Sequence, residues 1–229
     1  VPSWHSLSDE VSASVNRIYF DNNATTPLLP DVLEAMLPHL SGEFGNPSSL
    51  HREGRLARRA LASSRERIAQ LLEAHPDQVL FTSGGTEANN LAILGMAGTP
   101  PARLITSSIE HPSVGGCFEL LEKRGFELDQ LSVDSAGLVD LEDFRCRVKS
   151  GVRLASVMLA NNETGAIQPV ATLADEARRQ GVPFHTDAVQ AVGRIPVSFR
   201  SLGVTSLSLS APKFHGPIGV GALIVEKSD

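Results

Sequence analysis

Lys213 lies in the run Ser210-Ala211-Pro212-Lys213-Phe214-His215-Gly216-Pro217, and Asp187 lies upstream in His185-Thr186-Asp187-Ala188-Val189-Gln190. A primary amine can condense with an aldehyde, and a carboxylate at the end of an apolar strand can keep a pyridine nitrogen protonated. Neither residue says much alone: most loop lysines are simply solvated, and an aspartate after a strand commonly caps the next turn. A third segment changes the weighing. Thr82-Ser83-Gly84-Gly85-Thr86-Glu87 passes from a strand pattern into a helix pattern, and a helix start offers an anion unpaired N–H groups and a favourable dipole. The glycines let the backbone approach that anion, and Thr86 can add a hydroxyl donor. The competing reading is a plain helix start with Thr86 as its cap. Amine, acid and anion cradle together are the minimum set for pyridoxal 5′-phosphate.

Other candidates fall after strand patterns in the same way. His111, in Glu110-His111-Pro112-Ser113, could stack on a planar ring and move protons, although a histidine before a helix is commonly structural. Asn161-Asn162-Glu163-Thr164-Gly165 follows the next strand, where two adjacent amides mean either a site or a turn. Gln190 follows Asp187. Ser210 and Lys213 also fit the S-x-x-K acylation pattern, but its Ser-Asp-Asn and Lys-Thr-Gly partners do not occur in the sequence. What favours a site is the conjunction: five such groups at successive strand ends define one edge of one sheet.

The elements that must position these groups are readable as periodicity. Strands are expected at Gln78–Thr82, Arg103–Ser107, Glu127–Ser132, Leu154–Leu159, Phe184–Thr186, Ser206–Ser210 and Gly221–Val225. Several are continuous apolar runs, as expected of strands covered on both faces. Helical spacing predicts helices over Pro30–Leu40, Ser49–Leu72, Thr86–Met96, Pro112–Arg124, Leu141–Val148 and Val170–Gln180, with Gly125 and Gly181 placed for left-handed caps. The Gly/Pro-rich Pro212–Gly219 is too short for a helix, so the last strand should run antiparallel to its neighbour. The expected fold class is α/β: a three-layer α/β/α sandwich around a seven-stranded, mostly parallel mixed sheet.

The 229 residues can bury a substantial core, and 41% hydrophobic with 20% charged residues is ordinary for a soluble globular protein. A net charge of −6 argues against nucleic-acid binding driven by bulk electrostatics. Arg52, Arg55, Arg58, Arg59, Arg65 and Arg67 line one helix, but Glu53 and Glu66 interleave with them, as on a solvated amphipathic face. No apolar run is long enough for a membrane span, and residues 1–17 carry no apolar signal core. Two cysteines, Cys117 and Cys146, cannot form a disulfide framework, so a reducing, cytoplasmic setting is expected. No metal ligands are expected.

Taken together, Tyr19-Phe20-Asp21-Asn22-Asn23-Ala24-Thr25-Thr26-Pro27, Gly45-Asn46-Pro47-Ser48-Ser49, Phe81 to Asn90, Glu110-His111-Pro112, Asn161 to Gly165, His185 to Gln190 and Lys213 to Gly216 resemble the NifS/IscS-like cysteine desulfurases. These are class V members of the fold-type-I pyridoxal phosphate enzymes, and the resemblance spans Ile18 to Val225. It implies that Lys213 is the Schiff-base lysine, Asp187 the partner of the pyridine nitrogen and His111 the ring-stacking, proton-handling histidine. It implies Thr86 and Ser210 as phosphate ligands beside the Gly85 backbone, with Asn162 and Gln190 around the ring oxygen and substrate. The implied reaction takes L-cysteine to L-alanine, with sulfur left as an enzyme persulfide for iron–sulfur cluster or thio-cofactor assembly. A homodimer and a sulfur-acceptor or scaffold partner come with the resemblance. So does a division into residues 1–45, contributing to a small domain, and 46–229, the cofactor-binding large domain.

Two departures stand out. Pro212 occupies a position where many relatives have a phosphate-holding histidine, and it should bias Ala211 toward extended geometry. The family's C-terminal segment, with its nucleophilic cysteine and substrate-binding arginine, is expected to lie outside this chain, which then reads as truncated. Cys117 and Cys146 read as bland thiols rather than substitutes. A selenocysteine lyase or other class V enzyme, or a non-catalytic scaffold, are the open alternatives.

Overall fold

The computed structural model describes residues 18–227; the readings made on residues 1–17 lie outside them. Among the described residues, seven strands form one sheet: β1 (Val79–Thr82), β2 (Arg103–Ser107), β3 (Glu127–Leu131), β4 (Val152–Ser156), β5 (Phe184–Asp187), β6 (Ser206–Ser210) and β7 (Gly221–Val225). Their order is β1-β7-β6-β5-β4-β2-β3. Strands β2 to β6 pair in parallel, while β7 runs antiparallel to both β6 and β1, as the short connection requires. The expected run to Leu159 ends as a strand at Ser156. Its continuation stays alongside β5, where the Val157 and Leu159 N–H groups donate to the His185 and Asp187 carbonyls (3.2 and 2.9 Å).

The helices are α1 (Pro30–Ser41), α2 (Arg52–Leu71), α3 (Gly85–Ala97), α4 (Pro112–Lys123), α5 (Leu141–Arg147), α6 (Val170–Arg179) and a short α7 (Phe199–Leu202) that periodicity does not predict. Gly125 and Gly181 follow α4 and α6 with φ of 95° and 70°, the left-handed geometry that lets the next N–H groups reach back to Leu121 and Ala177. Arginines of α2 are tied down locally: Arg65 donates to the Val79 carbonyl (3.1 Å) and lies 5.4 Å from the Phe81 ring centre, and Arg58 holds the Pro47 carbonyl (2.8 Å). Helix α1 buries none of its residues, and Leu33, Leu37 and Leu40 are exposed.

Alternation along the strands sorts side chains to two faces. Leu104 and Leu154 pack with Ile93 and Ala97 of α3 and with Val114, Phe118 and Leu121 of α4. Ile105, Ala155, Leu207 and Leu209 face the other way, among Phe144 of α5 and Leu173 and Ala177 of α6. Strand β6, Ser-Leu-Ser-Leu-Ser, is buried along its whole length. Its serines continue a polar row: the register aligns Thr106 with Ser156, Ser156 with His185, and His185 with Ser206. A polar row therefore runs beneath α3.

Phe144 is fully buried and meets Phe184 edge to face, with ring centres 6.1 Å apart and planes at 78°. Phe144→Ala should cost about 3–5 kcal/mol. At roughly 2–4 °C per kcal/mol for a chain of this size, a thermal melt should drop by about 10 °C. A variant melting with the parent would refute this packing.

Candidate active site

A cavity of about 510 Å³ opens at the C-terminal ends of the parallel strands, the edge at which open α/β sheets bind ligands. Its lining includes all eight residues singled out from the sequence: Gly85, Thr86, His111, Asn162, Asp187, Gln190, Ser210 and Lys213. They come from five separate stretches of chain.

One end is the turn from β1 into α3. Gly84, not Thr86, is the N-cap, and it makes no side-chain cap bond, so the Thr86 hydroxyl is not consumed in capping. The Gly85 and Thr86 N–H groups lie in the first turn of α3, beyond reach of any intrahelical carbonyl. Gly85 is required by contact: a Cβ there would sit 2.7 Å from Val189 Cγ2 and 3.4 Å from Ser210 Cβ. The cradle thus presents N–H groups, one free hydroxyl from Thr86 and the nearly buried Ser210.

At the floor lies Asp187, the last residue of β5 and 4% exposed. Its Oδ1 accepts from the Val189 N–H (2.9 Å) and its Oδ2 from Asn89 Nδ2 (2.7 Å). The turn-capping reading and the site reading therefore hold together, one on each oxygen. Burial raises the proton affinity of this carboxyl; the Val189 and Asn89 donors and the charges of His111 and Lys213 pull the other way. Such a group is suited to a cationic N–H partner.

Lys213 closes the opposite side. Its Nζ donates to the Asn23 carbonyl (3.0 Å) and to the Ala24 carbonyl. Partial burial, and next the nearby Arg194 charge, lower its pKa, which favours a nucleophilic free amine. Arg194 was not picked out from sequence; it pins the same loop, reaching Asn23 Oδ1 (2.6 Å) and the Asn22 carbonyl (2.8 Å). The Thr26 N–H and hydroxyl both reach the Pro212 carbonyl (2.8 and 2.9 Å). Ala211 departs from the extended geometry expected before proline. It opens a single 3₁₀ turn over Ala211–Lys213, where its N–H bonds Val220 and its carbonyl accepts from Phe214 and Gly216. Those three bonds outweigh the local steric preference.

His111 serves its helix and faces the cavity. As N-cap of α4 it accepts at Nδ1 from the Ser113 N–H (3.1 Å) and hydroxyl (2.7 Å), which leaves the ring proton on Nε2. Of the paired amides, Asn161 makes the turn: its Oδ1 accepts from the Glu163 and Thr164 N–H groups (2.9 and 2.8 Å) while Asn162 lines the cavity. Gln190 donates to the Asn23 carbonyl (2.9 Å), and its buried Oε1 has no partner among the described residues. Cys117 is buried, with burial raising its thiol pKa, and neither it nor the exposed Cys146 lines the cavity.

Sequence reading also passed over Asn89 and Glu110. Asn89 is fully buried in α3, and the signal was available: two adjacent asparagines inside a helix are poor helix formers and need another reason to be there. Glu110 is half-buried as a residue, but its Oε2 is shut off from solvent without a partner, while Oε1 accepts from the Ser107 hydroxyl and the Met158 N–H (2.5 and 2.8 Å). Burial pushes its pKa up to about 8.

The fold and this site define an aminotransferase class-V protein, and the chain belongs to that family, whose profile matches residues 18–228. A cysteine desulfurase of Cereibacter sphaeroides is 49% identical over 217 residues, which is 93% of this chain and 56% of that protein. Among solved structures, a NifS-like protein superposes with a TM-score of 0.90 at 39% identity, covering 93% of this chain and 60% of the other. SspA in complex with cysteine superposes at 0.88 and 38% identity, covering 91% and 61%. The chain spans about half the length of the curated relatives it matches.

A raised carboxyl pKa has a consequence for stability. The folded state holds the Glu110 proton more tightly than the unfolded chain, so this contribution is full below about pH 4.5 and is lost as pH rises toward about 8. Glu110→Gln cannot titrate and keeps the Oε1 acceptor. Its denaturation midpoint should fall less than wild type's across that window, leaving the variant several degrees more stable near pH 8. Parallel pH profiles for the two proteins would refute the assignment.

Proposed function

We propose that this chain is the cofactor-binding part of a cysteine desulfurase that carries pyridoxal 5′-phosphate and converts L-cysteine to L-alanine, passing sulfur to a persulfide. The observation that carries this reading is the convergence on one cavity of a lysine amine, a buried carboxylate, a histidine and an N–H cradle. The residues fit the cofactor on their own chemistry. A Cβ at Gly85 would crowd the cradle, the orphaned Gln190 Oε1 is an acceptor for a ring hydroxyl, and buried Asp187 calls for a cationic N–H. A relative solved with cysteine supports the substrate class.

When bound, the cofactor supplies an aldehyde for amine chemistry and a ring that withdraws electrons. Lys213 contributes an amine whose proton is held weakly, so the free base is accessible near neutrality. Asp187 holds a proton on the ring nitrogen by presenting a buried negative charge. His111, with Nδ1 accepting from Ser113, presents an Nε2–H that can donate its proton inside the cavity. Gly85, Thr86 and Ser210 bind the phosphate through N–H and O–H donors. Asn162 and Gln190 orient the ring oxygen and the substrate. Residues 46–229 form the cofactor-binding domain in this reading, with 1–45 contributing to a second, smaller one, and the assembled protein is a homodimer.

The chain mixed with pyridoxal phosphate and then freed of unbound cofactor should stay yellow, and borohydride should fix the cofactor's mass on Lys213. Lys213→Ala treated in the same way should stay unlabelled. Asp187→Ala should bind the cofactor about tenfold to a hundredfold more weakly, as expected for one lost charge-assisted hydrogen bond. A colourless wild type, or equal labelling of Lys213→Ala, would sink the proposal. Alanine release from L-cysteine by the full-length protein tests the substrate.

A further inference from the structure

At the cavity floor and behind it, six side chains join in one hydrogen-bonded series. Asn89 sits at its branch point, fully buried on α3. Its Nδ2 donates to Asp187 Oδ2 (2.7 Å) and to the Ser113 hydroxyl (3.0 Å), and that hydroxyl in turn contacts His111 Nδ1 (2.7 Å). Its Oδ1 lies 3.1 Å from His185 Nε2, and His185 Nδ1 lies 2.8 Å from the Ser206 hydroxyl.

The donor and acceptor roles can be solved from one end. A carboxylate only accepts, so the Asn89 NH₂ must face Asp187 and its oxygen must face His185. His185 Nε2 therefore carries the proton, and Nδ1 accepts from Ser206. The ring is fully buried, and burial holds its pKa down to about 3, so it stays neutral and keeps this single tautomer. A reversed Asn89 amide would set its oxygen against the Asp187 carboxylate, which is repulsive, so the carboxylate gives the network one direction.

We propose that Asn89 is a positioning residue that aims two groups at once, the Asp187 carboxylate and the His111 ring, with His185 and Ser206 holding its amide oxygen from the far side. This rests on reading the cavity as a pyridoxal phosphate site. Two acceptors on one NH₂ tie the Asp187 carboxylate, through the Ser113 hydroxyl, to the His111 ring, across two separate strand ends. Stabilising the Asp187 charge also keeps the shared proton on the cofactor's nitrogen rather than on the acid. Besides Asn89, the groups around Asp187 are the Val189 N–H, the charges of Lys213 and His111, and the Glu110 carboxyl.

The test compares wild type, Asn89→Ala and Ser113→Ala, without and with pyridoxal phosphate. Without cofactor, long-range proton–nitrogen spectra should put the His185 proton on Nε2 in wild type and in Ser113→Ala. Asn89→Ala should lose that preference, and Ser113→Ala should alter the His111 signals. With cofactor labelled by nitrogen-15 in its ring, wild type and Ser113→Ala should give a protonated-ring shift. Asn89→Ala should move toward the unprotonated value and bind cofactor about tenfold more weakly. A folded Asn89→Ala chain with an unmoved ring nitrogen and unchanged affinity overturns the proposal, whatever its melting temperature. Should that variant not fold, the Asn89 side-chain amide of the wild type decides: its protons must shift when cofactor is added, and signals that stay put overturn the role. A wild type that takes up no cofactor overturns the reading of the cavity itself; a loaded wild type with an indifferent Asn89→Ala overturns this role alone.

Discussion

A carboxylate buried at the end of a central strand is the constraint around which this molecule is arranged. An unpaired buried charge costs several kcal/mol, so Asp187 dictates what its surroundings must contain. A backbone N–H from the following turn serves one oxygen, and an amide from α3 serves the other. That second contact requires an asparagine in the interior of a helix, and the asparagine in turn requires a histidine and a serine on the strands beneath it. His185 of β5 and Ser206 of β6 are thus not defects in an apolar core. They support one charge from beneath α3, the helix whose first turn also lines the cavity.

Much of this was legible in the amino-acid sequence because punctuation is local. Glycine after a helix and short apolar runs between helices placed every strand to within a few residues, and the Gly/Pro-rich Pro212–Gly219 correctly implied the reversal into β7. The candidate residues line one cavity because each lies at or just beyond a strand end, and the sheet gathers strand ends into one edge. Helix α7 escaped because four residues carry no periodicity. Strand β6 was found, but its Ser/Leu alternation ordinarily marks a half-exposed strand, and here both faces are covered.

The contacts that set the chemistry were the least readable. Asn89 and Asp187 are 98 positions apart, and Lys213 reaches a carbonyl 190 positions away. No local pattern encodes such pairings. What the sequence does hold is the oddity of the partners: adjacent asparagines in a helix, a histidine two residues before an aspartate in a buried strand, and an acid next to His111. Each breaks a propensity rule, and each lies beside the cavity, where functional sites most often break such rules.

The position of β7 bears on how the protein is made. Among the described residues it follows every other strand, yet it is the one neighbour of β1, pairing Val79 with Ile224 and Thr82 with Gly221. On the ribosome, β1 and the glycine turn behind it must wait until Gly221 has been synthesised before they can dock. The parallel strands can assemble in the meantime, but that wall of the cavity comes together only after the β6–β7 hairpin has emerged. A nascent chain stalled short of Gly221 would carry Asp187 without the glycine turn docked beside it.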